Sequence, residues 1–218
     1  MSPVLLWLEF LILFVALPLA VRFSPVRLPL LPLLWLAALY CYLVLRGDST
    51  FTRAKLWNAG AIPPNLGSVF AIFIPCALFI AGGVLFLARP LLFTLVRNRP
   101  ALWLLVMIVY PVLSVYPQGI VYRAFLMHRY ASLFPQLWLM ILMSAAAFGF
   151  MHLVFRNPLA VAMTFIGGLL FAWRYQTTDS LALSSLEHAL YGCLLFTVGL
   201  GKYFYGGTLP PPRLPRER

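Results

Sequence analysis

The sequence predicts an all-α protein, a polytopic transmembrane helical bundle of about seven spans. Composition gives the first reason: 63% of the 218 residues are apolar and 10% are charged, against about 45–50% and about 25% in ordinary globular domains. The second reason is the recurrence of apolar runs of about 20 residues, the length that crosses roughly 30 Å of hydrocarbon. The third is that basic residues fall singly or in twos and threes between those runs, as loops beside anionic headgroups do. No polar stretch is long enough for a second folded unit. The chain therefore reads as a membrane domain over residues 1–204 and a basic tail over 205–218, whose Gly-Gly, Pro-Pro-Pro and charges predict disorder.

The spans follow in order. Residues 4–21 form the first; a secretory signal would need a positive leading region, and the first charge here is the acidic Glu9. The second, 28–45, is broken early by Pro29 and Pro32. A polar loop over 46–68 is expected to carry a short interfacial helix around 52–59. The third span, 69–88, precedes a fourth over 101–121 holding Pro111 and Pro117, which neighbouring helices make tolerable. A turn at 132–135 leads into the fifth, 136–155. The sixth, 158–174, is the shortest, and Gly167, Gly168 and Ala172 give it a small-residue face suited to close contact. The seventh covers 181–200.

The net charge of +11 belongs to lipid rather than nucleic acid, because the clustered basic patch with interleaved aromatics is missing. Ten basic residues fall on the side of the C-terminus. Six (Arg46, Arg53, Lys55, Arg123, Arg129 and Arg174) fall on the other, which predicts a cytoplasmic C-terminus in a plasma (inner) membrane and an outward N-terminus. Cys41, Cys76 and Cys193 lie in apolar runs with no short spacing, so neither a disulfide framework nor a zinc site is expected. No other cofactor or metal is expected.

Ionisable residues inside spans cost a few kcal/mol on insertion scales, which makes each one a functional candidate. They are His152, His188 with its neighbour Glu187, and Glu9, with Gln118 and Arg123 at the end of the fourth span. Gln118 and His152 stand sixteen residues before and eighteen after Phe134. At about 1.5 Å per residue both lie roughly 24–27 Å from the hairpin turn, which places them side by side. His188 joins them only if the sixth span is short or tilted. Plainer readings stand beside these: a histidine bridging two helices, Arg123 anchored at the headgroups, and Glu9 and His128 at the interface. The chain lacks GxSxG and HExxH, and its two aspartates both lie in loops, which excludes serine, zinc and aspartyl protease patterns.

The runs QGIVYRAF, FGFMH and EHALYG, in that order, resemble the CPBP family, the CAAX-processing and bacteriocin-processing (Abi-type) intramembrane proteases. The resemblance covers about residues 100–205, a protease-like core. It implies a helical membrane fold and peptide-bond hydrolysis at or in the membrane, with a peptide or lipidated protein as substrate or partner. Arg123 matches the arginine of the family's Glu-Glu-x-x-x-Arg motif, Phe148 and His152 its Phe-x-x-x-His motif, and His188 its last histidine. The two glutamate positions hold Gln118 and Gly119, and the following Asn or Asp position holds Gly192. The resemblance thus implies a site of His152, His188, Gln118 and Glu187, supported by Arg123 and Phe148. The base is left open between Glu187, Glu9 and a histidine. The alternative is a catalytically inactive, protease-like membrane scaffold that binds a peptide or lipidated partner.

Overall fold

A computed structural model describes residues 2–26 and 28–204; the tail expected over 205–218 lies outside them. Among the described residues seven helices are long and apolar enough to cross a membrane. They are α1 (Pro3–Phe23), α2 (Leu30–Gly47), α3 (Ala59–Leu87), α4 (Pro100–Arg129), α5 (Leu137–Phe155), α6 (Pro158–Thr178) and α7 (Leu181–Val198). No strand occurs among the described residues.

Local chemistry sets the helix ends. Ser180 starts α7, its hydroxyl accepting from the Leu183 N–H at 3.1 Å. Asn157 starts α6, accepting from Leu159 N–H at 2.8 Å, and Pro158 follows where a helix has no use for an N–H. At its far end α7 stops at Gly199, which takes φ 94°; the Leu91 carbonyl lies against this position and leaves no room for a side chain. Pro29 and Pro32, expected to break the second span, instead open it. Pro29 caps α2 and Pro32 sits in its first turn, where the helix's leading N–H groups are unpaired anyway.

Several boundaries differ from expectation. The third span starts ten residues earlier than 69, at Ala59, because Pro63 and Pro64 fall in the first turn of its α-helical part, where they are tolerated. α4 continues to Arg129, so Gln118 and Arg123 lie inside a helix rather than at its end. Its backbone widens into π-helical turns over Pro111–Val115 and Ile120–Phe125; the first absorbs the missing proline N–H, and the second carries Arg123. α6 is 21 residues long, because Arg174 is buried against a partner and does not end the span. The segment expected as one interfacial helix is two short 3₁₀ turns, Arg53–Leu56 and Ala59–Ala61.

Hydrogen bonds show which helix ends lie together. Glu9 near the start of α1 meets Arg129 at the end of α4. Asp48 after α2 also meets the end of α4, through His128, and Asn58 before α3 reaches the α6–α7 connection. The helices therefore alternate in direction across the bundle. Burial rises from α3 onward: 11% of the most apolar stretch of α3 is buried, against 50% for α7. The later helices form the interior, while side chains such as Phe79, Phe86 and Leu87 stand fully outward, as lipid-facing residues do. α1 closes one flank with an aromatic cluster in which Phe10 and Phe14 pack on Tyr130 at 5.2 and 6.0 Å.

α5 and α6 pack closely through small residues. A Cβ at Gly168 would stand 3.0 Å from the Ala145 Cα, and one at Gly149 would stand 3.0 Å from the Phe165 Cβ. Gly167 faces the Phe171 ring of its own helix, so only part of the anticipated small face makes the contact. Gly168→Val is expected to destabilise the protein by about 1–3 kcal/mol through overpacking, read as a lower melting temperature in detergent. An unchanged melting temperature would contradict this crossing.

Candidate functional site

The site forms where α4, α5, α6 and α7 meet, around the ring of Phe148. Phe148 lies one turn before His152, with ring centroids 4.7 Å apart. The ring of His188 is 5.4 Å from the same phenyl group. The two histidines thus share one neighbour although they enter from helices of opposite depth, and α6 need not be short for this: Phe148, a turn deeper than His152, bridges the difference. His188 also stacks on Phe171 of α6 at 4.6 Å and 19°, and Tyr110 meets its edge at 6.4 Å. Phe171 and Tyr110 carry no motif, and the sequence offers no signal for them.

His152 is oriented by its own helix. Its Nδ1 lies 2.7 Å from the Phe148 carbonyl oxygen; a carbonyl only accepts, so Nδ1 carries the proton and donates. In the neutral ring Nε2 then holds the lone pair.

Arg123 is 1% exposed, which replaces the headgroup-anchor reading with an interior one. Its guanidinium carbon lies over the rings of Phe148 at 4.3 Å and Phe171 at 5.4 Å, a cation–π arrangement that recovers about 2 kcal/mol or more when desolvated. None of its three guanidinium nitrogens finds a hydrogen-bond acceptor among the described residues. A carboxylate would answer that charge, but the positions one family turn before it are Gln118 and Gly119. The Gln118 amide N–H donates to the Ser114 hydroxyl at 2.8 Å. Gly119 is pressed against α7: a Cβ there would stand 3.0 Å from Leu181 Cδ1 and 3.1 Å from Ser185 Oγ. Gly192 has a similar cause, since any side chain there would collide with the Tyr110 ring.

Glu187 is turned away from the histidines. Its carboxylate accepts from Arg174 Nε at 2.8 Å and from Arg174 Nη2 at 3.1 Å, and both side chains are almost wholly buried. Arg174 Nη1 donates to Ser68 of α3 at 2.8 Å. The pair therefore ties α3, α6 and α7 together. Glu9 is likewise engaged, accepting from Arg129 at 3.0 Å and from the Tyr40 hydroxyl at 3.0 Å. Among the described residues the carboxylate paired with a histidine is Asp48, 3.0 Å from His128, at the far end of α4. No group of three or more metal-ligating side chains forms among the described residues.

The segment that builds this site is also the segment recognised by comparison. A family model described as type II CAAX prenyl endopeptidase, Rce1-like, matches residues 98–194. This segment is thus similar to the CAAX endopeptidases, in line with the resemblance of its motifs to the CPBP family. No curated protein and no solved structure matches the chain. The matched segment runs from the start of α4 into α7 and includes Gln118, Arg123, Phe148, His152, Glu187, His188 and Gly192. The match points to a protease in general, and the seven apolar helices to a membrane setting.

Two predictions follow from the polar contacts. Glu187→Leu or Arg174→Met alone leaves one charge buried without its partner and is expected to cost on the order of 3–5 kcal/mol, whereas the double variant recovers most of that loss. Thermal unfolding of the three variants checks it, and equal losses in singles and double would argue against the pairing. At the far end, the Thr50 hydroxyl at 2.6 Å, the Thr50 N–H at 2.9 Å and then His128 hold the Asp48 carboxyl down at about 2. A depressed carboxyl stabilises above its ordinary value and ceases to as it protonates. Protease protection of the 48–58 loop should therefore hold at pH 5 and fall as the pH drops from about 4 to about 2. Protection independent of pH across that window would exclude the Asp48 clamp.

Proposed function

We propose that this protein is a CAAX-type intramembrane endopeptidase in which His152, rather than a glutamate, takes the proton from water. The observation that carries the reading is the 2.7 Å bond from His152 Nδ1 to the Phe148 carbonyl, which leaves Nε2 as a base aimed away from its own backbone. Water bound at Nε2 would give up a proton as its oxygen attacks the scissile carbonyl, and the imidazolium so formed would return that proton to the leaving amine. His188, held by rings on three sides, is assigned to the same site as a donor to the developing oxyanion. Gln118 spends its amide N–H on Ser114 and keeps its carbonyl oxygen to orient the water. We assign Glu187 to holding the helices together, since its carboxylate is bound by Arg174.

A second reading rests on a separate observation. Both span carboxylates, Glu9 and Glu187, are bound by arginines, which favours a scaffold that binds a peptide or lipidated segment without cutting it. With Arg123 and Arg174 buried, four of the six basic residues on the N-terminal side remain as interfacial charges (Arg46, Arg53, Lys55 and Arg129). That widens the asymmetry supporting a cytoplasmic C-terminus in the plasma membrane.

Purified protein in nanodiscs should cleave a CAAX-type peptide, and His152→Ala should slow cleavage by about 10²–10⁴-fold, the usual contribution of a general base. His188→Ala should reduce it as well. Cleavage that survives His152→Ala would end the hydrolytic mechanism proposed; peptide binding without cleavage by the wild-type protein would select the scaffold.

A further inference from the structure

Arg123 presents a problem that neither reading resolves. It is 1% exposed and lies within a membrane-crossing helix, less than two turns before its end, a setting where a buried cation without a partner is strongly disfavoured. The other cations near the interior are matched: Arg174 with Glu187, and Arg129 with Glu9. Around Arg123 the structure supplies two aromatic faces, Phe148 and Phe171, but no acceptor for its N–H groups. Rings compensate for charge in part; they do not accept the in-plane N–H bonds of a guanidinium. The position where a carboxylate would lie on the same helix is occupied by Gln118, already bonded to Ser114. Gly119 has no space for one. The nearest carboxylate on α7, Glu187, is bound at both oxygens by Arg174.

We infer that Arg123 is a receptor for a carboxylate carried by the peptide that the site binds. This rests on the peptide-binding reading given above and adds to it a chemical requirement. The faces of the planar guanidinium are covered by rings, and its in-plane N–H groups are buried without acceptors; a carboxylate would answer them through two parallel N–H···O bonds. The two histidines border the same Phe148 ring, so a carboxylate on Arg123 places the ligand's adjoining backbone beside His152 Nε2. The carboxylate comes either from the peptide's C-terminus or from an acidic side chain.

Four peptides of one apolar sequence separate these sources: free or amidated C-terminus, each with Glu or Gln at one internal position. Binding to the full-length protein in nanodiscs is read by fluorescence anisotropy. The peptides carrying the preferred carboxylate should bind at least tenfold more tightly than the matching amides, and the pair that shows the difference identifies the source. Arg123→Gln should abolish that difference. Gln118→Glu, which supplies a carboxylate in cis, should raise the melting temperature of the unliganded protein and remove the preference, whereas Gln118→Met should do neither. If all four peptides bind equally, if none binds, or if Gln118→Glu fails to stabilise, the inference is overturned. The hydrolytic reading fails separately, through cleavage that does not depend on His152, and such a result leaves the carboxylate preference intact.

Discussion

The buried pair of Arg174 and Glu187 is the interaction on which the interior depends. A bilayer offers no water to a stray polar group, so each must be answered by another part of the chain. Glu187 on α7 and Arg174 on α6 answer each other through two hydrogen bonds, and Ser68 of α3 takes up a further guanidinium N–H. Three helices are brought into register by one charge pair. The site then takes shape around it: with Glu187 committed to Arg174, His188, the next residue on α7, points to the other side and stacks on Phe171 of α6.

Arg123 shows the opposite condition in the same interior. It is as buried as Arg174, yet it has aromatic faces where Arg174 has a carboxylate. The difference traces to single residues. Gly119 is held against Leu181 and Ser185, and Gly192 against Tyr110, so the places where the CPBP family carries acidic or amide groups are here filled by neighbouring side chains. Those two positions have no room for a side chain, while the histidines and the arginine stand around Phe148. A site with a cation, two imidazoles and no free carboxylate suits an anion, and in the mechanism proposed above the proton chemistry falls to His152.

At the opposite end of α4 the polar groups are arranged as fasteners. Asp48 gathers Thr50 and His128, Lys55 pairs with Asp179 at 2.7 Å, and Glu9 binds Arg129 and Tyr40. These contacts join the loop after α2 and the start of α1 to the ends of α4 and α6. The Lys55–Asp179 pair is half-exposed and weak by itself, while the Glu9–Arg129 pair is mostly buried; together they connect the first three helices, which bury little of their surface, to the four that form the site.

Composition and apolar spacing by themselves determined that the chain is an all-α membrane bundle, because only lipid accepts so much apolar surface and only helices satisfy their own backbone there. The ordered motifs were legible too, and they located Arg123, Phe148, His152 and His188 in the segment that the family match covers. Partnership was not legible. Arg174 reads in sequence as a loop charge, and its burial depends on Glu187 thirteen residues later on the adjacent helix. Arg123 reads as a headgroup anchor until α4 is seen to continue beyond it to Arg129. Phe171 and Tyr110 enter the site only through helix packing. Hydropathy records how much each residue resists burial, whereas the tertiary structure decides which group meets it there, and in a bilayer that meeting settles whether a charge is a fastener or a site.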